Sequence, residues 1–141
     1  MPTNGRTKGK SGELELASLI NEQLGHQCLT RNLSQTRDGG HDLVVSSMDS
    51  LEAERLDQMA IEVKRHQSAK PGDIKTWWKQ AHRQAMDINK IPVLFYRPDR
   101  EDWTAMLPLS KALPWEDPKN CISMGLPLFI QILKDPDLVT M

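Results

Sequence analysis

The sequence has few cysteines, little net charge and no long apolar run. Its two cysteines, Cys28 and Cys121, are too few and too far apart in 141 residues for a disulfide framework or a zinc knuckle. The basic segment at residues 1–10 contains no apolar core of a signal peptide, and no later stretch approaches a membrane span. These absences predict a reduced, cytoplasmic protein with no membrane partner.

The net charge of -1 does not by itself indicate a nucleic-acid partner, and the distribution of the charges is more informative. Basic residues are frequent at the start and in the middle of the chain, whereas acidic residues are frequent in the carboxyl third. A basic face is compatible with phosphate binding, and a solvated helix surface explains the same pattern equally well. The candidates for DNA phosphate contacts are Lys8, Lys10, Arg37, Lys75, Lys79 and Arg83.

Apolar periodicity alternates between helix and strand along the chain. Residues 12–24 have helical spacing before the stop signal Gly25, and Pro71 and Asp73 open a second helix that runs to about Lys90. This alternation predicts one α/β domain with a central mixed sheet flanked by helices. Strands are predicted at 27–33, 41–47, 59–65, 91–97 and 103–107, short helical segments at 50–56 and 128–134, and irregular structure from 108 to 127.

Three charged residues lie in segments that otherwise look like sheet core. Asp42 precedes the apolar run 43–45, and Glu62 and Lys64 interrupt the strand at 59–65. Burying a carboxylate is costly unless it is paired, and a divalent cation removes that cost. Two carboxylates and the Val63 backbone carbonyl are hard oxygen ligands of the kind that Mg²⁺ and Mn²⁺ prefer. The sequence therefore predicts a metal site at Asp42 and Glu62.

The spacing of Glu62 and Lys64 puts both side chains on one face of a strand. An ammonium there can orient a water or stabilise charge on a phosphate, and a metal ion lowers the pKa of water for phosphodiester hydrolysis. An ordinary salt bridge is the alternative interpretation of this pair. Glu13 lies on the buried stripe of the first helix, either as a further site residue or as an acid that complements the helix dipole.

The charged residues belong to an ordered set of motifs: Lys8-Gly9-x-x-x-Glu13-x-Glu15-Leu16, Gly39-Gly40-His41-Asp42-Leu43, Ile61-Glu62-Val63-Lys64 and Ile91-Pro92-Val93-Leu94. This set resembles the archaeal-type Holliday junction resolvases of the PD-(D/E)xK nuclease superfamily. The resemblance implies a restriction-endonuclease-like core at residues 1–108, with residues 109–141 as a C-terminal extension packed on the same domain.

The resemblance also implies roles for residues of the site. Asp42 and Glu62 would be metal ligands, Lys64 the catalytic lysine, and Glu13 an acid that assists the metal directly or through water. The implied activity is that of a Mg²⁺-dependent endonuclease, a homodimer that cuts branched DNA in recombination and repair. A phage or mobile-element nuclease on linear, flapped or single-stranded DNA is an alternative, as is a catalytically silent nucleic-acid-binding module.

Several neighbours of the motifs have more ordinary interpretations. His41, where a proline is frequent in the superfamily, and His66 are interpreted as bystanders of the ligands. Gln80 is interpreted as an exposed helix residue. Of the aromatic residues, Trp77 and Trp78 could stack on bases, although at least one is expected in the core, and Trp103 is expected in the core or at a dimer contact.

Overall fold

The computed structural model describes residues 5–33 and 41–137, with side chains from residue 9 onward. Across these residues, the helices fall short of the length and apolar character needed to cross a bilayer. The elements are α1 (Gly5–Leu24), β1 (Leu29–Arg31), β2 (Leu43–Val45), α2 (Leu51–Asp57), β3 (Met59–His66), α3 (Pro71–Asp87), β4 (Ile91–Pro98), β5 (Thr104–Pro108), a 3₁₀ turn (Pro118–Asn120), β6 (Cys121–Gly125) and α4 (Leu126–Lys134).

The strands of the described segments form one mixed sheet in the order β1-β2-β3-β4-β5-β6. Neighbouring strands are antiparallel except β3 and β4, which run parallel in register from Met59–Ile91 to His66–Pro98. Helix α3 connects this parallel pair, because a parallel connection needs a long crossover. Strand β3 therefore lies inside the sheet, between β2 and β4.

Helices cover both faces of the sheet. On one face, α1, α2 and α4 pack over a core in which the Phe95 and Phe129 rings meet edge-on at 5.0 Å. On the other face, α3 packs Trp78 against Leu94 and Met106. The predicted α/β fold with a mixed sheet flanked by helices is confirmed.

One strand contradicts the expectation of irregular structure from 108 to 127. Strand β6 pairs with β5 from Thr104–Gly125 to Pro108–Cys121 at one end of the sheet order. Met124 is the buried residue of this strand, so its sequence lacks the apolar alternation on which strand prediction depends. Pairing with β5, rather than local sequence, determines its conformation.

Helix bounds also differ from the expected ones. Helix α1 begins at Gly5 rather than Gly12, and Gly12 lies inside it where a Cβ atom would come within 2.7 Å of Arg65 Cβ. Glycine at this position therefore lets α1 approach β3 closely. Helix α3 ends at Asp87, before Asn89 with its left-handed φ of 56°. Helix α4 begins two residues before Leu128, with proline in its first turn.

Arg55 of α2 ties the carboxyl end of α4 to the rest of the domain. Its Nη1 donates to the carbonyls of Ile132 at 3.0 Å, Leu133 at 3.1 Å and Asp135 at 2.7 Å. The last carbonyls of a helix have no partner within the helix, and a cation there also complements the helix dipole. This buried arginine thus serves as a cap supplied by a distant element.

Replacing Arg55 with Met should retain most of the apolar stem and remove the cap. The free energy of unfolding should fall by about 2 kcal/mol, the scale of hydrogen bonds from a charged donor. Urea unfolding measures the loss, and amide exchange should accelerate first in α4. Arg83→Met, at an exposed position on α3, is the matched control. Equal losses in the two variants would contradict the capping role.

Candidate active site

Residues of β3 alternate between the two faces of the sheet. Ile61 and Val63 join the core beneath α1, whereas Glu62 and Lys64 lie on the α3 face. The two side chains form an ion pair, with Lys64 Nζ 3.3 Å from Glu62 Oε1. Their placement on one face is therefore as the two-residue spacing predicted.

Asp42 lies just before β2 and reaches across to β3. Its backbone N–H donates to the Ile61 carbonyl at 2.7 Å, and its Oδ2 accepts a hydrogen bond from the Val63 N–H at 2.7 Å. These two bonds fix Asp42 to the residues on either side of Glu62. Both carboxyl groups are buried, since Asp42 is 8% and Glu62 3% exposed.

Burial and mutual repulsion make these carboxyl groups hard to ionise. Burial first, and then the negative charge of Glu62, raise the pKa of Asp42 from its ordinary 3.8 to about 9, although the hydrogen bond from the Val63 N–H opposes part of this shift. Burial also raises the pKa of Glu62, against the lowering effect of Lys64. The two groups lie within hydrogen-bonding reach, which requires a proton on one of them. Without a cation, the pair therefore retains a proton near neutral pH.

Glu13 approaches the same region from α1. It is buried, and its negative charge helps to raise the pKa of both Asp42 and Glu62. Its Oε2 accepts a hydrogen bond from Arg31 Nε at 2.9 Å. Whether Glu13 assists a metal directly or through water stays a prediction. Sequence reasoning missed Arg31, because one cation in a three-residue strand carries no signal of its own.

The donor set favours a hard divalent cation. Among the side chains described for residues 9–33 and 41–137, no group of three or more His, Cys, Asp or Glu is arranged to hold a metal. Mg²⁺, however, usually takes one or two carboxylates and keeps several waters. A cation between Asp42 and Glu62 would replace the retained proton and remove their repulsion. The oxygen chemistry of this pair therefore fits Mg²⁺ or Mn²⁺.

Comparison with known proteins decides the family. Over residues 4–127, the sequence matches the family described as "Phage putative PDDEXK endonuclease". The chain belongs to this endonuclease family. The predicted membership of the PD-(D/E)xK nucleases is confirmed.

Other comparisons with the endonuclease are weaker. Among curated proteins, none matches the chain significantly. Among solved structures, the Holliday junction resolvase Hjc of Archaeoglobus fulgidus aligns with a TM-score of 0.43 and 13% identity, over 86% of this chain and 87% of that chain. A likeness this distant says nothing about which DNA the endonuclease cuts.

The predicted phosphate contacts on α3 of the endonuclease form one exposed row. Lys75, Lys79 and Arg83 follow one another at four-residue spacing, which places them on the same side of the helix. That side is opposite to the buried side of α3 that carries Trp78 and Ala81. The structure therefore places this row apart from the carboxylates.

The remaining predicted phosphate contacts lie near the start of the endonuclease chain. Lys10 is exposed on α1, one helical turn before Glu13. The side chain of Lys8 and the whole of Arg37 lie outside the described residues. The role of Lys10 in DNA binding stays a prediction.

Two tryptophans of the endonuclease belong to its core. Trp78 is fully buried and its Nε1 donates to the Trp115 carbonyl at 2.7 Å. Trp103 is also buried, with its Nε1 donating to Glu15 Oε1 at 2.9 Å. The core interpretation holds for both rings, and Trp103 is not available as a dimer contact. Gln80 is half-buried rather than exposed, on the side of α3 that faces β3.

Replacing Asp42 with Asn should stabilise the metal-free endonuclease at alkaline pH. Because the pKa of Asp42 is raised from 3.8 to about 9, the folded state keeps a proton that the unfolded chain releases. The free energy of unfolding contributed by this group should therefore fall as the pH rises between those two values. Asn still accepts from the Val63 N–H and carries no charge, so the variant should melt at a higher temperature and lose this pH dependence.

Thermal unfolding in EDTA across this pH window is the measurement. Asp102→Asn, which neutralises an exposed acid, is the control and should change little. A lower melting temperature for Asp42→Asn than for wild type at about pH 8 would contradict the account of repulsion between buried charges.

Proposed function

We propose that this chain is a metal-dependent DNA endonuclease that hydrolyses phosphodiester bonds in branched DNA, as a Holliday junction resolvase-like enzyme. The observation that supports this most strongly is the meeting of Asp42, Glu62 and Lys64 on adjacent strands. Two buried carboxyl groups that need a cation lie beside an ammonium that is paired to one of them. Membership of an endonuclease family supports phosphodiester hydrolysis as the reaction of these residues.

Asp42 and Glu62 would hold Mg²⁺, or Mn²⁺ in its place, with the Val63 carbonyl and with Glu13 directly or through water. Such an ion polarises a phosphate oxygen and lowers the pKa of a water that attacks phosphorus. The backbone of β3 keeps Asp42 in position, because Val63 donates to its carboxylate. Glu62 holds the Lys64 ammonium at 3.3 Å. Lys64 then places a fixed positive charge where negative charge grows on the phosphate.

The proposed assembly is a homodimer. A four-way junction has approximate two-fold symmetry, so a dimer with two equivalent sites would place paired cuts on opposing strands. Cations on α1 and α3 would hold the DNA backbone through charge, without reading its sequence. The proposed contacts are Lys8, Lys10, Arg37, Lys75, Lys79 and Arg83.

A second candidate function is cleavage of linear, flapped or single-stranded DNA in a phage or mobile-element pathway. The family itself favours this candidate, since its description is of phage endonucleases. The chemistry at Asp42, Glu62 and Lys64 would be the same. The two candidates differ in the shape of the DNA and in the arrangement of the two strands that are cut.

Purified protein should nick a labelled four-way junction in Mg²⁺, faster than a matched linear duplex, and should be inactive in EDTA. Glu62→Gln removes a ligand and Lys64→Ala removes the positive charge near the phosphate. Each should lower the cleavage rate by about 100-fold or more, the scale of losing one electrostatic group from an active site. The matched controls are Glu116→Gln and Lys134→Ala, which change exposed residues of the same types.

The substrate panel separates the candidates. Equal cleavage of junction and duplex would contradict junction preference, and faster cleavage of flaps or single strands would support the second candidate. A wild-type protein that cuts none of these substrates in Mg²⁺ or Mn²⁺ would contradict the nuclease proposal and leave the silent binding module.

A further inference from the structure

The β3 strand continues past the candidate site to a pair of stacked rings. His66, the last residue of β3, lies on the same face as Glu62 and Lys64, because alternate residues of a strand share a face. Its ring stacks on Trp77 of α3, with centroids 4.8 Å apart and an interplanar angle of 28°. We call the His66–Trp77 pair the aromatic platform.

The two rings of the aromatic platform differ in exposure. Trp77 is 9% exposed, and its inner side packs towards Tyr96 at a centroid distance of 6.1 Å. His66 is exposed although Trp77 covers one face of its ring. The exposed part of the platform therefore belongs to His66, and Trp77 is a buried support on which the imidazole ring stacks.

The aromatic platform borders the proposed catalytic lysine. Two residues along a strand span about 6.6 Å, so the backbones of Lys64 and His66 are neighbours on one face. Tyr96, which contacts Trp77, is also the register partner of Lys64 on β4. A DNA strand whose phosphate lies at Lys64 therefore has an adjacent nucleoside within reach of His66.

The surroundings of the aromatic platform suit a polynucleotide. The segment that follows β3 directly exposes Gln67, Ser68 and Lys70. A cationic and polar segment next to an exposed aromatic ring is the combination by which proteins hold single strands, through charge on the backbone and stacking on the base.

We propose that the aromatic platform stacks on an unpaired nucleobase next to the phosphate that is cut. This inference rests on the proposed nuclease function and narrows the substrate towards the second candidate, flapped or single-stranded DNA. A base inside a duplex is already stacked on both sides, so it reaches an aromatic side chain only at an opened, flapped or single-stranded position. The platform therefore selects DNA in which the strand beside the cut is opened. On this proposal, His66 is a substrate contact rather than a bystander.

The test uses flapped DNA with 2-aminopurine, whose fluorescence falls when the base stacks, at each position flanking the cut. Binding of the full chain in EDTA should quench the probe at one position. His66→Ala should abolish that quenching and weaken binding by about tenfold, within the range for one base–aromatic stack. His66→Phe should retain both. Affinity for linear duplex should be the same in all three proteins.

His26→Ala is the control, since His26 is also an exposed histidine but follows the end of α1 remote from Glu13. If His66→Phe loses as much as His66→Ala, a charge or hydrogen bond acts there and stacking is overturned. If kcat falls in His66→Ala while KM and quenching are unchanged, the ring only positions Lys64, and the inference is again wrong.

Failure of the two proposals can be told apart. If the wild-type protein neither binds nor cuts any DNA, both the proposed function and the proposed role of the platform are wrong. A wild-type protein that cuts flapped DNA, with His66→Ala equal to it in binding and quenching, would overturn the platform alone.

Discussion

Repulsion between two carboxyl groups that are buried side by side is the electrostatic constraint around which the candidate site is built. Asp42 and Glu62 repel each other when both are ionised, and the low exposure of both residues strengthens that repulsion. The fold holds them together nevertheless, because the Val63 N–H and the Ile61 carbonyl fix Asp42 against β3. The backbone of an interior strand is among the least mobile parts of a domain. The repulsion is therefore built into a rigid frame, and the proton that the pair retains near neutral pH limits it.

The sheet topology explains how groups from both faces reach this one place. The α3 face of β3 carries Glu62 and Lys64, whereas Glu13 comes from α1 on the opposite face. Helix α1 lies close to β3 because Gly12 has no side chain at the point where Arg65 Cβ is nearest. Close packing of α1 against β3 thus brings a third acid from the opposite face to the same carboxylates.

Interactions between residues close in the sequence could be predicted, whereas contacts between residues far apart in the sequence could not. Glu62 and Lys64 could be placed on one face because a two-residue period is a local property of any strand. The ion pair of Glu13 with Arg31 depends on how α1 crosses β1, which no local pattern encodes. Strand β6 was missed for a related reason, because its conformation comes from pairing with β5. The stacking of His66 on Trp77 likewise requires the register of α3 against β3. What failed was in each case a contact between elements distant in the chain.

The proposed cleavage residues and the proposed base contact follow one another along strand β3. Side-chain exposure rises along its α3 face, from 4% for Glu62 through 19% for Lys64 to the exposed residue His66. Under the two proposals, the buried end would provide the charges that act on phosphate, a group present in every nucleotide of every DNA. The exposed end would provide an aromatic ring, which can distinguish an unpaired base from one within a stacked duplex. Because alternate residues of one rigid strand would carry both functions, backbone geometry would fix the distance between the cleaved phosphate and the contacted base. On this account, the preferred DNA shape could change through substitutions at the exposed end while the carboxylate pair stays as it is.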